Sequence, residues 1–200
     1  PYGIGGFGWN AYDFVDFLAS CKQHYWQILP LTTTSYGDSP YQSFSARAGN
    51  PNFIDFAELI EAGYLEQRDI DGVYLGSDPN NVDYGAIFGG RRQILDRAAE
   101  RFAADKPADF DDFVQANEDW LIPYCEFMTV KEECGLKAFW EWPAELRTRG
   151  EASAKVCAAH PARMLYHQMT QYFFDRQWSR LKAYANERDI LIIGDLPIYV

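Results

Sequence analysis

Residues 35–51, SYGDSPYQSFSARAGNP, interleave phenol rings with short hydrogen-bonding side chains. Tyr36 and Tyr41 stand among Asp38, Ser39 and Gln42. That mixture suits a sugar. The hydroxyls around a pyranose take compact partners of the Asp, Gln and Ser type. Its C–H faces take flat aromatic rings, whose negative π-faces attract polarised hydrogens. The pattern equally suits an ordered structural turn in which the tyrosines only pack, and residue types alone leave both readings open.

A second candidate is Asp195, which follows the apolar run ILII (190–193) and Gly194. A carboxylate at the end of a buried strand is costly unless it is paired or functional. A structural ion pair with an Arg is the alternative to a functional role.

Both candidates depend on the elements that deliver them. YWQILPL (25–31) is short and apolar and reads as a buried strand that hands its chain to the polar loop. ILIIGDLPIY (190–199) reads as a second strand that delivers Asp195. Two continuous apolar strands with polar C-terminal ends predict a parallel sheet buried on both faces. In such α/β folds, ligands sit at the C-terminal ends of the strands.

Helical spacing is predicted over 10–23 with Asn10 as N-cap, over 54–62 ending at Gly63, and over 84–104. It recurs over 110–134, with a break or start at Pro123, and over 160–189, with Pro161 in the first turn. FWEWPAELR (139–147) reads as an aromatic turn entering a short helix. Most of the tryptophans read as core; Trp140 and Trp142 could line a groove, with core packing the better reading.

Several function classes are disfavoured. The net charge of −11 and the scattered Lys and Arg argue against nucleic acid and against a membrane surface. The pair Arg91-Arg92 reads as a solvated helix face. No apolar run approaches the roughly 18 residues that would cross a bilayer. The four cysteines, at 21, 125, 134 and 157, lack metal-ligand spacing and read as reduced, mostly buried thiols of a cytoplasmic protein. Gly3, Gly5 and Gly8 match G-x-G-x-x-G, but no strand precedes them and no acidic residue follows a second strand, so a flexible loop at a barrel rim is the better reading. No HExxH, G-x-S-x-G or phosphate-binding loop occurs, and the histidines are assigned no chemistry. The chain lacks an initiator Met and runs apolar to its last residue, so a piece of a longer protein is expected.

The loop resembles the signature of the amylomaltases or disproportionating enzymes, the 4-alpha-glucanotransferases of glycoside hydrolase family 77. PYGIGGFG (1–8), VDY (82–84), the NEDWL…FM..K block (117–131), WEWP (140–143), and the run from QWSRLKAYAN to IIGDLPIYV fit the same family in the same order. TTTS (32–35) departs from the family's more usual GPTG and bears on local loop shape.

The resemblance implies an α/β fold, a partial (β/α)8 TIM barrel related to the α-amylases, with residues 1–200 as the N-terminal part and a helical insertion at about 52–150. It implies a retaining transfer of α-1,4-glucan segments between maltooligosaccharides through a glycosyl-enzyme intermediate. The nucleophile and acid/base are expected beyond Val200, so no catalytic residue is expected in this chain apart from the supporting Asp195. Tyr41 resembles the tyrosine that stacks under the donor sugar. Tyr36 and Tyr84 match tyrosines that contact glucan away from the cleaved bond, and Ser39 and Gln42 would add hydrogen bonds near the donor sugar. No metal or organic cofactor is expected. A non-catalytic glucan-binding module and an α-glucan hydrolase are the alternatives.

Overall fold

The computed structural model describes residues 2–198, the Tyr36 side chain excepted. The expected contact through the Tyr36 ring and the end of the second predicted strand, Tyr199, therefore lie outside the described residues. Two compact units are present: Pro1–Ala98 with Phe173–Val200, and Ala99–Tyr172.

The first unit carries the sheet. Helix α1 (Trp9–Ser20) precedes strand β1 (Tyr25–Gln27). Helices α2 (Phe56–Glu61) and α3 (Gln67–Ile70) and the first part of α4 (Tyr84–Ala104) follow. The unit closes with the C-terminal part of α8 (Pro161–Asn186) and strand β2 (Leu191–Ile193). β1 and β2 pair in parallel, Tyr25 opposite Leu191, Trp26 opposite Ile192 and Gln27 opposite Ile193. The Ile28 N–H extends the ladder by donating to the Ile193 carbonyl at 3.0 Å.

Parallel pairing matches the expectation, but burial on both faces does not. Trp26 and Ile192 turn into a cluster built on Val15, Leu181, Ala185 and Ile190. Tyr25, Leu191 and Ile193 are exposed. Side chains alternate across a strand, and among the described residues only one face of this two-stranded sheet is covered.

Local chemistry sets the helix ends. Asp55 caps α2, its Oδ1 accepting from the Glu58 N–H at 3.3 Å. Gly63, at φ +81°, ends that helix, and Tyr64 N–H returns to the Leu59 carbonyl at 2.8 Å. α8 ends the same way with Asp189 in the left-handed position, which turns the chain so that Leu191 N–H donates to the His24 carbonyl at 2.8 Å.

Four expectations are corrected here. The N-cap of α1 is Gly8 rather than Asn10: the helix starts at Trp9, which puts Asn10 inside its first turn, and a Cβ on Gly8 would lie 2.1 Å from Asp55 Oδ2. The glycine-rich start is not a loose loop: a Cβ on Gly3 would meet the Leu75 carbonyl oxygen at 2.2 Å, and one on Gly6 the Phe53 carbonyl oxygen at 2.7 Å. Arg91 is no solvated side chain, with 2% exposure. Its guanidinium donates to the Tyr2 and Ile54 carbonyls and lies 4.1 Å from the Phe56 ring centroid. Finally, YWQILPL and ILIIGDLPIY yield strands of three residues each, the other described residues of these runs being irregular.

The second unit is helical: the end of α4, α5 (Phe110–Ala116), α6 (Glu118–Glu133), α7 (Glu151–Ala159) and the start of α8. The helix expected over 110–134 breaks at Asn117, whose side chain bonds back to Phe113, while Pro123 sits inside α6. Helix α7 had no counterpart among the predicted elements. Edge-to-face contacts join Phe102, Phe110, Phe113 and Tyr172 in its core. In the same unit, the largely covered Glu132 accepts a bidentate pair from Arg163, at 2.7 and 3.1 Å, and lies 3.0 Å from His167 Nε2. Burial alone would raise the Glu132 pKa, but hydrogen bonds from His167 and Arg163 and their charges outweigh it and hold it at about 2. Trp142 is buried as expected, its Nε1 donating to the Lys137 carbonyl, but Trp140 is 66% exposed because the 3-10 turn Phe139–Glu141 sends it outward.

Candidate functional site

The 35–51 loop stands on a narrow stem. Thr32 and Gly49 form an antiparallel bridge. Asn50 N–H donates to the Leu31 carbonyl at 2.9 Å and Thr33 N–H to the Ala48 carbonyl at 3.1 Å. Farther out, Ser35 N–H donates to the Gln42 carbonyl at 3.1 Å.

Serines hold the interior of the loop. The hydroxyls of Thr33 and Ser43, both buried, share a hydrogen bond of 3.1 Å. Ser43 Oγ donates to the Ser45 carbonyl at 2.8 Å, and Ser45 Oγ accepts from the N–H groups of Arg47 and Ala48 at 3.1 Å each. These hydroxyls replace the regular ladder that an irregular segment lacks. Much of the serine content is therefore structural, a role the sequence pattern could not separate from ligand contact.

At the tip, Gly37 and Asp38 are both left-handed, at φ +79° and +55°. Glycine adopts this region without strain and Asp tolerates it. Pro40 then leads to Tyr41.

Tyr41 reaches the end of the second strand. Its hydroxyl donates to Asp195 Oδ2 at 2.9 Å. Asp195 Oδ1 accepts from the Leu196 N–H at 2.8 Å, and the Ile198 N–H donates to the Tyr41 carbonyl at 3.2 Å. Residues 154 positions apart thus meet at the C-terminal end of the parallel sheet. The hydrogen bond to Asp195 raises the Tyr41 pKa, so the phenol stays protonated and donating. Among the described residues no Arg or Lys pairs with Asp195, and the ion-pair alternative is set aside.

The arrangement places an aromatic ring beside an accessible carboxylate whose orientation is set by two internal hydrogen bonds. Further lone pairs on that carboxylate can accept from hydroxyl groups. The ring offers a face for C–H contact.

The remaining expected residues separate into two groups. Ser39 and Gln42 share the loop tip with Tyr41. Ser39 Oγ accepts from the Tyr41 N–H at 3.3 Å, so it shapes the turn that presents the ring. The Gln42 side chain is exposed and forms no hydrogen bond among the described residues. Tyr84, 42% exposed at the start of α4, is joined to the loop by no hydrogen bond or ring contact among the described residues. Also among the described residues, no three His, Cys, Asp or Glu side chains converge to hold a metal ion, and no helix is long and apolar enough to cross a membrane. The backbone link from Ile198 went unforeseen, because only its side chain, not its N–H, is encoded by residue type.

The profile of the family described as 4-alpha-glucanotransferase matches residues 1–200. A 4-alpha-glucanotransferase of Streptococcus pneumoniae is 52% identical over all of this chain, which covers 40% of that protein. The Thermus thermophilus 4-alpha-glucanotransferase is 40% identical, again over all of this chain and 40% of the relative. This chain therefore spans about two fifths of the length of these relatives. Among solved structures, an amylomaltase from Streptococcus agalactiae in complex with acarbose superposes with a TM-score of 0.92 at 48% identity, covering 99% of this chain and 41% of that one.

Proposed function

The chain belongs to the 4-alpha-glucanotransferase family, and from that premise we propose that it forms the donor-sugar wall of an enzyme that transfers α-1,4-glucan segments between maltooligosaccharides. The observation that carries this reading is the 2.9 Å hydrogen bond from Tyr41 to Asp195. It joins the ring-bearing loop and the strand-end carboxylate into one surface of the kind a glucose unit requires. The acarbose bound to the S. agalactiae amylomaltase, 48% identical to this chain, supports an α-glucan as ligand.

On this reading Tyr41 stacks against the donor glucose and Asp195 accepts from its hydroxyls. Ser39 shapes the turn and Gln42 contributes a free amide nearby. Tyr36 and Tyr84 contact glucan farther along the chain. The nucleophile and acid/base carboxylates of the retaining mechanism belong to the part of the relatives that this chain does not span. β1 and β2 are two strands of a (β/α)8 barrel, with Tyr25, Leu191 and Ile193 packing inward against further strands. The helical unit Ala99–Tyr172 belongs to the insertion between them. Four unpaired cysteines accord with a cytoplasmic setting.

The test is product analysis of the full-length enzyme on maltotriose. Glucose together with maltodextrins longer than the substrate is the expected result. Shorter sugars alone indicate hydrolysis, and no turnover overturns the reading.

A further inference from the structure

Phe174 and Gln177 lie three residues apart on α8 and so share one face of the helix. Gln177 is buried, and its amide is used twice on one residue of the opposite segment. Oε1 accepts from the Asp55 N–H at 2.7 Å, and Nε2 donates to the Asp55 carbonyl at 3.1 Å. Phe174 presses on the other end of that segment: a Cβ built on Gly49 would lie 2.3 Å from its ring. Between Gly49 and Asp55 runs the chain that leaves the loop stem. Phe7 secures it further, its N–H donating to the Phe53 carbonyl at 2.9 Å and its ring meeting Phe174 at 5.1 Å.

The same helix leads through the left-handed Asp189 into β2 and hence to Asp195. One rigid element therefore references both halves of the candidate site, gripping the stem of the Tyr41 loop and aiming the strand that carries Asp195. We propose that Gln177 is a positioning residue for the Tyr41–Asp195 pair, acting with Phe174 to register the loop stem on α8. This rests on the functional reading above and adds a residue eighteen positions before Asp195 that touches neither partner. A paired buried amide is demanding, since either polar atom left alone would be costly.

The test is a double-mutant cycle in the full-length enzyme, reading kcat/KM for maltotriose disproportionation. Gln177→Leu lowers it about tenfold in the otherwise wild-type background, since small displacements of positioned groups carry losses of that scale or larger. In the Tyr41→Phe background the same substitution changes it less than about twofold, because the interaction it acts through is already gone. Equal losses in both backgrounds, or unchanged kinetics with a lowered melting temperature, overturn the proposal and leave Gln177 a stabilising residue only.

If Gln177→Leu does not fold, Gly49→Ala perturbs the same stem from the other side. Its loss of transfer is recovered when Phe174→Ala removes the clash, and failure of that recovery overturns the proposal. A wild-type enzyme that forms no longer maltodextrins defeats the functional reading and this inference together. A wild-type enzyme that does form them, combined with additive losses, defeats only the inference.

Discussion

The Tyr41 hydroxyl and Asp195 Oδ2 are 2.9 Å apart, and each residue arrives on the polar continuation of one of two adjacent parallel strands. The pairing makes the ring and the carboxylate a unit, so substitutions at either should be read against the other.

Tyr41→Phe keeps the ring and removes the donated hydrogen bond. In the full-length enzyme it is expected to lower kcat/KM for maltotriose about tenfold, the scale of one hydrogen bond to a charged acceptor. Tyr41→Ala removes the stacking face as well and should cost about tenfold more. Equal kinetics for both variants and wild type would show a ring that only packs.

Asp195→Asn preserves shape and the contact from Leu196 N–H while removing the charge. Transfer should fall by more than about tenfold, with a melting temperature within about 3 °C of wild type, because the residue is exposed and makes no ion pair. A large drop in melting temperature with normal turnover would assign Asp195 to the fold instead.

Arg91→Met should destabilise the protein by about 3 kcal/mol in chemical denaturation. It leaves the Tyr2 and Ile54 carbonyls without their guanidinium donor in a site with 2% exposure. Arg91→Lys should recover only part of this, since one ammonium does not reproduce a planar fork stacked on Phe56. A loss below about 0.5 kcal/mol would return Arg91 to the solvated surface.

Glu132 makes the helical unit sensitive to acid. Its pKa is about 2 in the folded protein against 4.5 unfolded, a depressed value, so its contribution to stability is present above 4.5 and is lost as pH falls toward 2. Melting temperature should drop across that window, and Glu132→Gln should flatten the drop while lowering stability at neutral pH. An unchanged profile in Glu132→Gln would mean that other carboxylates govern the acid transition.

Composition and residue spacing carried the parallel strand pair and the helix over 84–104, because apolar periodicity and turn residues act locally. They also marked Tyr41 and Asp195, since a carboxylate after an apolar strand and rings in a polar loop are legible in one dimension. Arg91 was not legible. Its role depends on the Tyr2 and Ile54 carbonyls, which are distant in the chain and invisible to residue type. Gln177 escaped for the same reason, as its partner is the backbone of Asp55. The hydroxyls of Ser43 and Ser45 serve the loop's own backbone, a role that residue type alone does not distinguish from ligand contact. Trp140 was read as core in preference to a groove-lining role, although a short 3-10 turn decides which of two neighbouring tryptophans points inward.

The most direct test of the central claim is a crystal structure of the full-length enzyme with a bound maltooligosaccharide. The expected result is a glucose ring with its C–H face within about 4 Å of the Tyr41 ring and a hydroxyl within about 3 Å of the Asp195 carboxylate. A well-ordered glucan that touches neither residue would contradict it.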